Sequence, residues 1–405
     1  MSCPFEIVGK LRIGKETDKF SPYSENTYDS GWVKRRLLFN VISGDNRHTL
    51  TVEGGSYKDG RGDVYLFSKP SIGENGTKVK GEKFKIPFKE RLTSPRLVEV
   101  AEFKKFVFDL EKPGRRYLLE KAAEKIKEGT SLTDEELKDL GLESESDVEK
   151  ALEKSNKKHY EFVTEWDFAE FIKKVFDSGK YENSKFRIKG EYDCTYSEKN
   201  GKYYENFIPK RIYLANEDEE EISTATVELY YNKESLDDGS VEEKGKYFIN
   251  GYIFCYDGNR KSNIPCPYTI TLDAALNSQD EKSKKIANLY KKIFTVDDDS
   301  WKVMGVTVNL LNGAQKVEID ESMLTDEQRE FIELEILTLD DIRKELGGSV
   351  YGEKVQENQF IKPAKGYSKG RQDTVYTDDD FVIKAIEADL PEEVEDLFAD
   401  DDDEL

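Results

Sequence analysis

Residues Phe5-Glu6-Ile7-Val8-Gly9-Lys10-Leu11-Arg12-Ile13 end in strict apolar–polar alternation, the period-2 pattern of a half-buried strand with basic residues on its open face. A polar loop over residues 14–31 carries Phe20, Tyr23 and Tyr28. Trp32 to Ile42 and His48 to Glu53 then flank Ser43-Gly44-Asp45-Asn46. This reads as a hairpin, because Gly, Asp and Asn tolerate the backbone angles of a tight turn. Val64–Phe67, Lys83–Phe88 and Phe103–Leu110 add further short strands. Such spacing predicts a small barrel or sandwich over residues 1–112.

The period changes over residues 113–184. Arg115 to Lys127 places Leu118, Leu119, Ala122, Ala123 and Ile126 at helical spacing, and Trp166 to Phe176 does the same with Phe168, Phe171, Ile172 and Val175. Thr133 followed by Glu136 has capping-box spacing, and Ser146 opens another helix. At Lys185 the strand pattern returns, and Phe186-Arg187-Ile188-Lys189-Gly190 repeats the texture of the first strand. Candidate strands at 203–214, 223–231, 246–256, 268–272 and 301–308, with a helix over 274–294, predict a second β module over residues 185–325. Short helices follow over 326–346. Residues 347–372, with Lys and Arg in excess over Glu, read as a basic flexible linker.

Charge alters this picture at the two ends. The formal net charge is −22, yet residues 1–110 hold 20 Lys and Arg against 15 Asp and Glu. Residues 373–405 hold 15 acidic residues against the single Lys384. That segment has too little apolar surface to offset its ordering entropy, so it reads as a disordered tail. No run of about 18 apolar residues exists for a membrane helix, and Met1-Ser2-Cys3-Pro4-Phe5 does not open like a signal peptide. Cys3, Cys194, Cys255 and Cys266 are scattered without a CxxC, which favours free thiols in a reducing cytoplasm over disulfides or zinc.

Enzyme signatures are missing: no GxxxxGK[ST], GxSxG or HExxH occurs, so no catalytic residues, cofactor or metal site are assigned. Asp297-Asp298-Asp299 and Asp340-Asp341 suit a loop and a helix start, with a divalent cation as the costlier reading. The stronger constellation is basic side chains beside aromatics on strands. Lys10, Arg12, Trp32, Lys34, Arg35 and Arg36 sit on two candidate neighbouring strands, followed by Tyr57, Tyr65, Phe67, Lys83 and Lys85. The second module offers Arg187, Lys189, Tyr203, Tyr204, Lys210, Arg211 and Tyr213. A single strand of nucleic acid needs cations along its backbone and flat faces for its unstacked bases. Half-buried sheets also carry Lys and Arg outside and aromatics inside, which is the plainer reading of the same residues.

With its basic β modules and acidic end, the chain resembles phage-type and bacterial single-stranded DNA-binding proteins, which join OB-fold barrels to a disordered acidic C-terminus. The resemblance rests on Phe5–Asp109, Lys185–Val308 and the ending Asp396-Leu397-Phe398-Ala399-Asp400-Asp401-Asp402-Asp403-Glu404-Leu405. Those families commonly finish on an aromatic or a Pro-Phe pair, whereas here Phe398 is internal and Leu405 is last. The implied fold class is α+β, mainly β: two OB-like barrels, a helical insert and a disordered acidic tail. The implied function is sequence-independent binding of single-stranded DNA in replication or recombination, without catalysis, in the cytoplasm (the bacterial host's, if phage-encoded). The tail, through Phe381, Leu397, Phe398, Asp400, Asp401, Asp402, Asp403, Glu404 and Leu405, would regulate access and recruit replication or recombination proteins. Two alternatives stay open: a structural or assembly protein, and a metal-dependent nuclease.

Overall fold

A computed structural model describes residues 3–17, 20–72, 77–239, 241–258, 260–276, 280–317, 324–334, 336–339, 341–342, 350–364 and 375–383. The chain is mainly β, with helices packed on and beside one large sheet.

Ten strands form two closed circuits. In the first, β1 (Cys3–Ile13), β2 (Trp32–Ser43) and β3 (Asn46–Tyr57) make an antiparallel meander. After a long excursion, β4 (Lys185–Ser197) and β5 (Lys202–Leu214) form a hairpin. Strand β4 pairs back to β1 from Cys3↔Tyr192 to Lys10↔Lys185, and the parallel contact Leu50↔Phe207 joins β3 to β5. The second circuit repeats this order with β6 (Ser223–Tyr231), β7 (Lys246–Asp257), β8 (Ser262–Asp273), β9 (Lys302–Val317) and β10 (Val350–Pro363). Again the fourth strand pairs with the first, and the fifth runs parallel to the third at Ile270↔Asn358 and Thr271↔Gln359. Phe5–Ile7 pair with Ala225–Ser223, which fuses the circuits into one sheet.

A strand that changes partners must bend, and glycine allows the close approach. A Cβ on Gly9 would lie 2.2 Å from the Ile42 carbonyl oxygen, where β1 passes from β6 to β2. Gly251 is the counterpart on β7, 2.4 Å by the same measure from the Tyr230 oxygen.

Alternation places one face of each strand in a common core. Leu37, Phe39, Leu50, Phe186, Ile188 and Ile212 fill the first circuit, and Leu229, Ile249, Ile253, Ile264, Ile270 and Val306 the second, as one continuous cluster. All four cysteines are free and buried, with Cys266 Sγ 3.8 Å from the Cys194 carbonyl oxygen. They act there as small apolar side chains. Among the described residues no His, Cys, Asp or Glu group has the arrangement of a metal site. No helix among them is long and apolar enough to cross a membrane.

The helical insert follows its sequence signals. Helices Arg115–Lys127, Asp134–Leu140 and Val148–Asn156 surround Leu119, Ala122, Leu140 and Val148, and Thr133 forms the expected capping box with Glu136. Helix Glu165–Asp177, capped by Thr164, lays Phe168, Ala169 and Ile172 on the first circuit.

Three expectations are corrected. Residues 185–214 do not open the second module: their strands complete the first circuit, because the texture shared by β1 and β4 belongs to two paired strands. Asp63–Phe67 and Lys83–Pro87 are not circuit strands but a separate two-stranded ribbon, while Phe106–Asp109 runs parallel beside β5. Finally, the stretch read as a flexible linker contains β10, paired along β9 from Val306↔Pro363 to Val317↔Val350. Its mostly polar composition hides the strand period, although Phe360 is buried in the common core against Tyr290 and Phe294.

Candidate nucleic-acid interface

The β2 burial pattern separates its residues by parity. Val33, Arg35, Leu37, Phe39 and Val41 point inward, whereas Trp32, Lys34 and Arg36 face out. Trp32 stands opposite Tyr57 of β3, ring centroids 5.1 Å apart and planes at 80°. It lies over Gly55, where a Cβ would come within 2.1 Å of the indole, and it stays 36% exposed. The Arg61 guanidinium covers the Tyr57 ring at 4.2 Å and donates to the Ser30 carbonyl oxygen at 2.9 Å. Lys34 and Arg36 flank this platform and share Glu53, at 2.7 and 3.9 Å. Neither pair is buried, and exposed pairs are worth little, so a phosphate could displace Glu53 at small cost.

The ribbon carries a second exposed group. Tyr65 is exposed with Lys83 4.8 Å above its ring, and Lys85 is paired to Asp63 at 2.6 Å, which raises the lysine pKa. Phe67 leans on Phe103, with Lys104 5.4 Å over its ring.

Four further expected residues converge on the β4–β5 hairpin. Arg187 stands opposite Tyr213, and Lys189 opposite Arg211. Together they line a cleft of about 530 Å³ whose far wall is Lys112, Arg116 and Tyr117 of the insert. Carboxylates temper the charge: Arg187 pairs with Glu6 and, at 2.7 Å, with Glu219; Lys189 lies 3.6 Å from Glu6; Arg116 pairs with Asp109.

The remaining candidates are not brought into these groups. Arg35 is 7% exposed and holds Glu25 and Glu170, so its place is structural. The Tyr23 hydroxyl, then Arg35, holds the Glu25 carboxyl below the usual carboxylate range. Arg12 donates to the Glu182 carbonyl, Lys10 sits beside Lys185, and Lys210 covers the Phe106 ring at 4.8 Å. Tyr203 packs against Tyr196 at the core edge, and the exposed Tyr204 accepts from Asn200 at 2.6 Å. Of the acidic clusters, Asp298 accepts from the Ser300 N–H at 3.1 Å and Asp299 pairs with Lys233.

Of the tail residues, Phe381 is described and is 9% exposed. Leu397, Phe398, Asp400, Asp401, Asp402, Asp403, Glu404 and Leu405 lie outside the described residues. Residues 375–383 are placed on the second circuit, at an aromatic surface of Tyr252, Phe254 and Trp301 absent from the sequence-based candidates. A signal existed: in β7 the aromatics Phe248, Tyr252, Phe254 and Tyr256 share one parity, while Ile249, Ile253 and Cys255 share the buried one.

No protein-family model and no curated protein sequence matches the chain. Among solved structures, a deletion mutant of the single-stranded DNA binding protein from Thermus aquaticus is similar at 6% identity, over 76% of this chain and 86% of that one, with a TM-score of 0.28. A likeness that slight carries no functional weight, so the functional reading rests on this chain's own residues.

Proposed function

We propose that the chain is a sequence-independent single-stranded DNA-binding protein without catalytic activity, acting in replication or recombination, and that both circuits are OB-like barrels. One observation carries this reading: the exposed Trp32 ring, set edge-to-face against an Arg61-covered Tyr57 and flanked by Lys34 and Arg36, lies on the second and third strands of a closed five-strand circuit. The order of meander, helix and hairpin, with the fifth strand parallel to the third, is what an OB barrel requires, and such barrels bind strands across that face. A base stacks on Trp32, at roughly 1–3 kcal/mol, with Tyr57 supporting the indole, while phosphates meet the flanking cations. The cleft holding Arg187, Lys189 and Arg211 would continue the backbone path. The acidic end regulates access and recruits other replication or recombination proteins.

The test is anisotropy of labelled oligo-dT with the full chain across a salt series, beside Trp32→Ala. Affinity should fall steeply with salt, and the variant should lose ~1–3 kcal/mol of binding. The oligonucleotide should survive incubation with divalent metal. No binding by the wild type at low salt overturns the reading and turns attention to assembly.

A further inference from the structure

Residues 375–383 reach the second circuit through side chains. Thr377 and Asp380 prefold the turn: the Thr377 N–H donates to Asp380 Oδ2 at 2.8 Å, and the Asp380 N–H to the Thr377 carbonyl at 3.0 Å. Its last ring, Phe381, stacks on Trp301 at 3.7 Å and 24°. Tyr252 and Phe254 of β7 close around that ring at 5.2 and 5.6 Å. The Trp301 Nε1–H donates to Asp378 Oδ1 at 2.8 Å. Asp379 and Asp380 border a cleft of about 370 Å³ shared with Arg260, Ser262 and Asn263. Among the described residues, no strand pairing ties this segment to the circuit.

The arrangement has the chemistry of a bound nucleotide: a flat ring stacked on tryptophan beside a row of negative charges. Two of its rings, Tyr252 and Phe254, sit on the second strand of their circuit, as Trp32 does in the first, while Trp301 directly precedes β9. One platform is open and the other covered. We propose that Trp301, Tyr252 and Phe254 form a second base-stacking site for single-stranded DNA, and that the internal Asp378–Phe381 turn occupies it until a strand displaces it. This rests on the function proposed above and adds its regulation. The gate is the Phe381 turn itself, so residues 384–405 are not needed to close it. An incoming base exchanges one ring stack for another, and its phosphates replace Asp378–Asp380, so displacement has little enthalpic cost.

Full-length Phe381→Ala and Asp378→Asn are compared with wild type for oligo-dT affinity and for nucleotides occluded per protein. A folding check by near-ultraviolet circular dichroism accompanies both. Phe381→Ala should raise affinity ~5-fold or more and lengthen the occluded site. Asp378→Asn, which keeps the ring and removes one charge, should act in the same direction. A synthetic peptide of residues 375–383 should compete with dT for the Phe381→Ala protein. Wild-type binding with unchanged affinity and site size in both variants overturns the gate and leaves the proposed function standing. Binding by Phe381→Ala alone overturns the proposed function, since the open first platform should bind a strand in the wild type, and leaves the gate standing. Absence of binding by every protein overturns both readings.

Discussion

The Arg35 guanidinium lies 3.7 Å from the centroid of the Trp166 ring, with the Trp166 carbonyl oxygen accepting its Nη1–H at 2.8 Å. A residue that resembles a nucleic-acid contact in sequence therefore clamps helix Glu165–Asp177 to β2. Breaking a buried ion pair costs about 3–5 kcal/mol, but Glu25 and Glu170 keep 41% and 39% of their side-chain exposure and can rehydrate. Arg35→Ala should thus lose ~2–3 kcal/mol of stability in urea. Arg36→Ala, one residue on and exposed, should stay within about 0.5 kcal/mol while weakening dT binding. Equal stability losses in the two variants would refute the division between clamp and contact.

That division was legible in part. Arg35 shares parity with Val33 and Leu37, so strict alternation already places it inward, against the expectation from its charge. Apart from β10, the strands of both circuits were visible as alternating runs, and the helices through their caps and periods. Partner choice was not visible, because β1 and β4 look alike for being neighbours, a relationship that local pattern cannot distinguish from repetition. Strand β10 was hidden for a different reason. Its Gln356, Glu357, Asn358 and Gln359 carry no apolar period, and pairing with β9 determines its conformation. Phe381 reads in sequence as a partner-binding residue of the acidic tail, because the second-circuit rings it meets lie 80 to 151 residues away.

Gly9 tests the bend that lets β1 serve both circuits. A methyl group there meets backbone, 2.2 Å from the Ile42 oxygen and 2.8 Å from its carbon, with no flexible side chain to move aside. Gly9→Ala should cost about 3 kcal/mol or more by forcing β1 away from β2. Gly258→Ala is the control, since a Cβ there meets nothing within 4 Å. Chemical denaturation of both proteins measures the difference, and a Gly9 variant as stable as the control would remove the close approach from the account.

Salt dependence separates the lysines of the β4–β5 hairpin. Lys189 is exposed in the cleft, whereas Lys210 lies over the Phe106 ring. Each phosphate contact with a single strand contributes about −0.7 to the slope of log affinity against log salt. Lys189→Ala should therefore flatten the slope by ~0.7, and Lys210→Ala should leave it unchanged. If the Lys210 variant flattens the slope and the Lys189 variant does not, the backbone path runs elsewhere.

His48 makes stability depend on pH in a direction its burial dictates. The ring is 1% exposed, 5.7 Å from Phe207, and its Nε2 has no hydrogen-bond partner among the described residues. Burial pushes its pKa down to about 4, against the ordinary value of 6.5. Above 6.5 the ring is neutral in both folded and unfolded chains, and the folded state carries no penalty. As pH falls below 6.5 the unfolded chain takes up a proton that the folded chain refuses until about 4, so stability is lost across that window. The loss amounts to ~3 kcal/mol when complete. Asp193, raised to about 6 chiefly by its own burial, acts in the opposite direction and is common to both proteins compared. The stability difference between wild type and His48→Phe, measured by urea denaturation, should shift by ~3 kcal/mol against the wild type between pH 7 and 4. A difference that holds constant over that range would mean that the ring accepts its proton without leaving the fold.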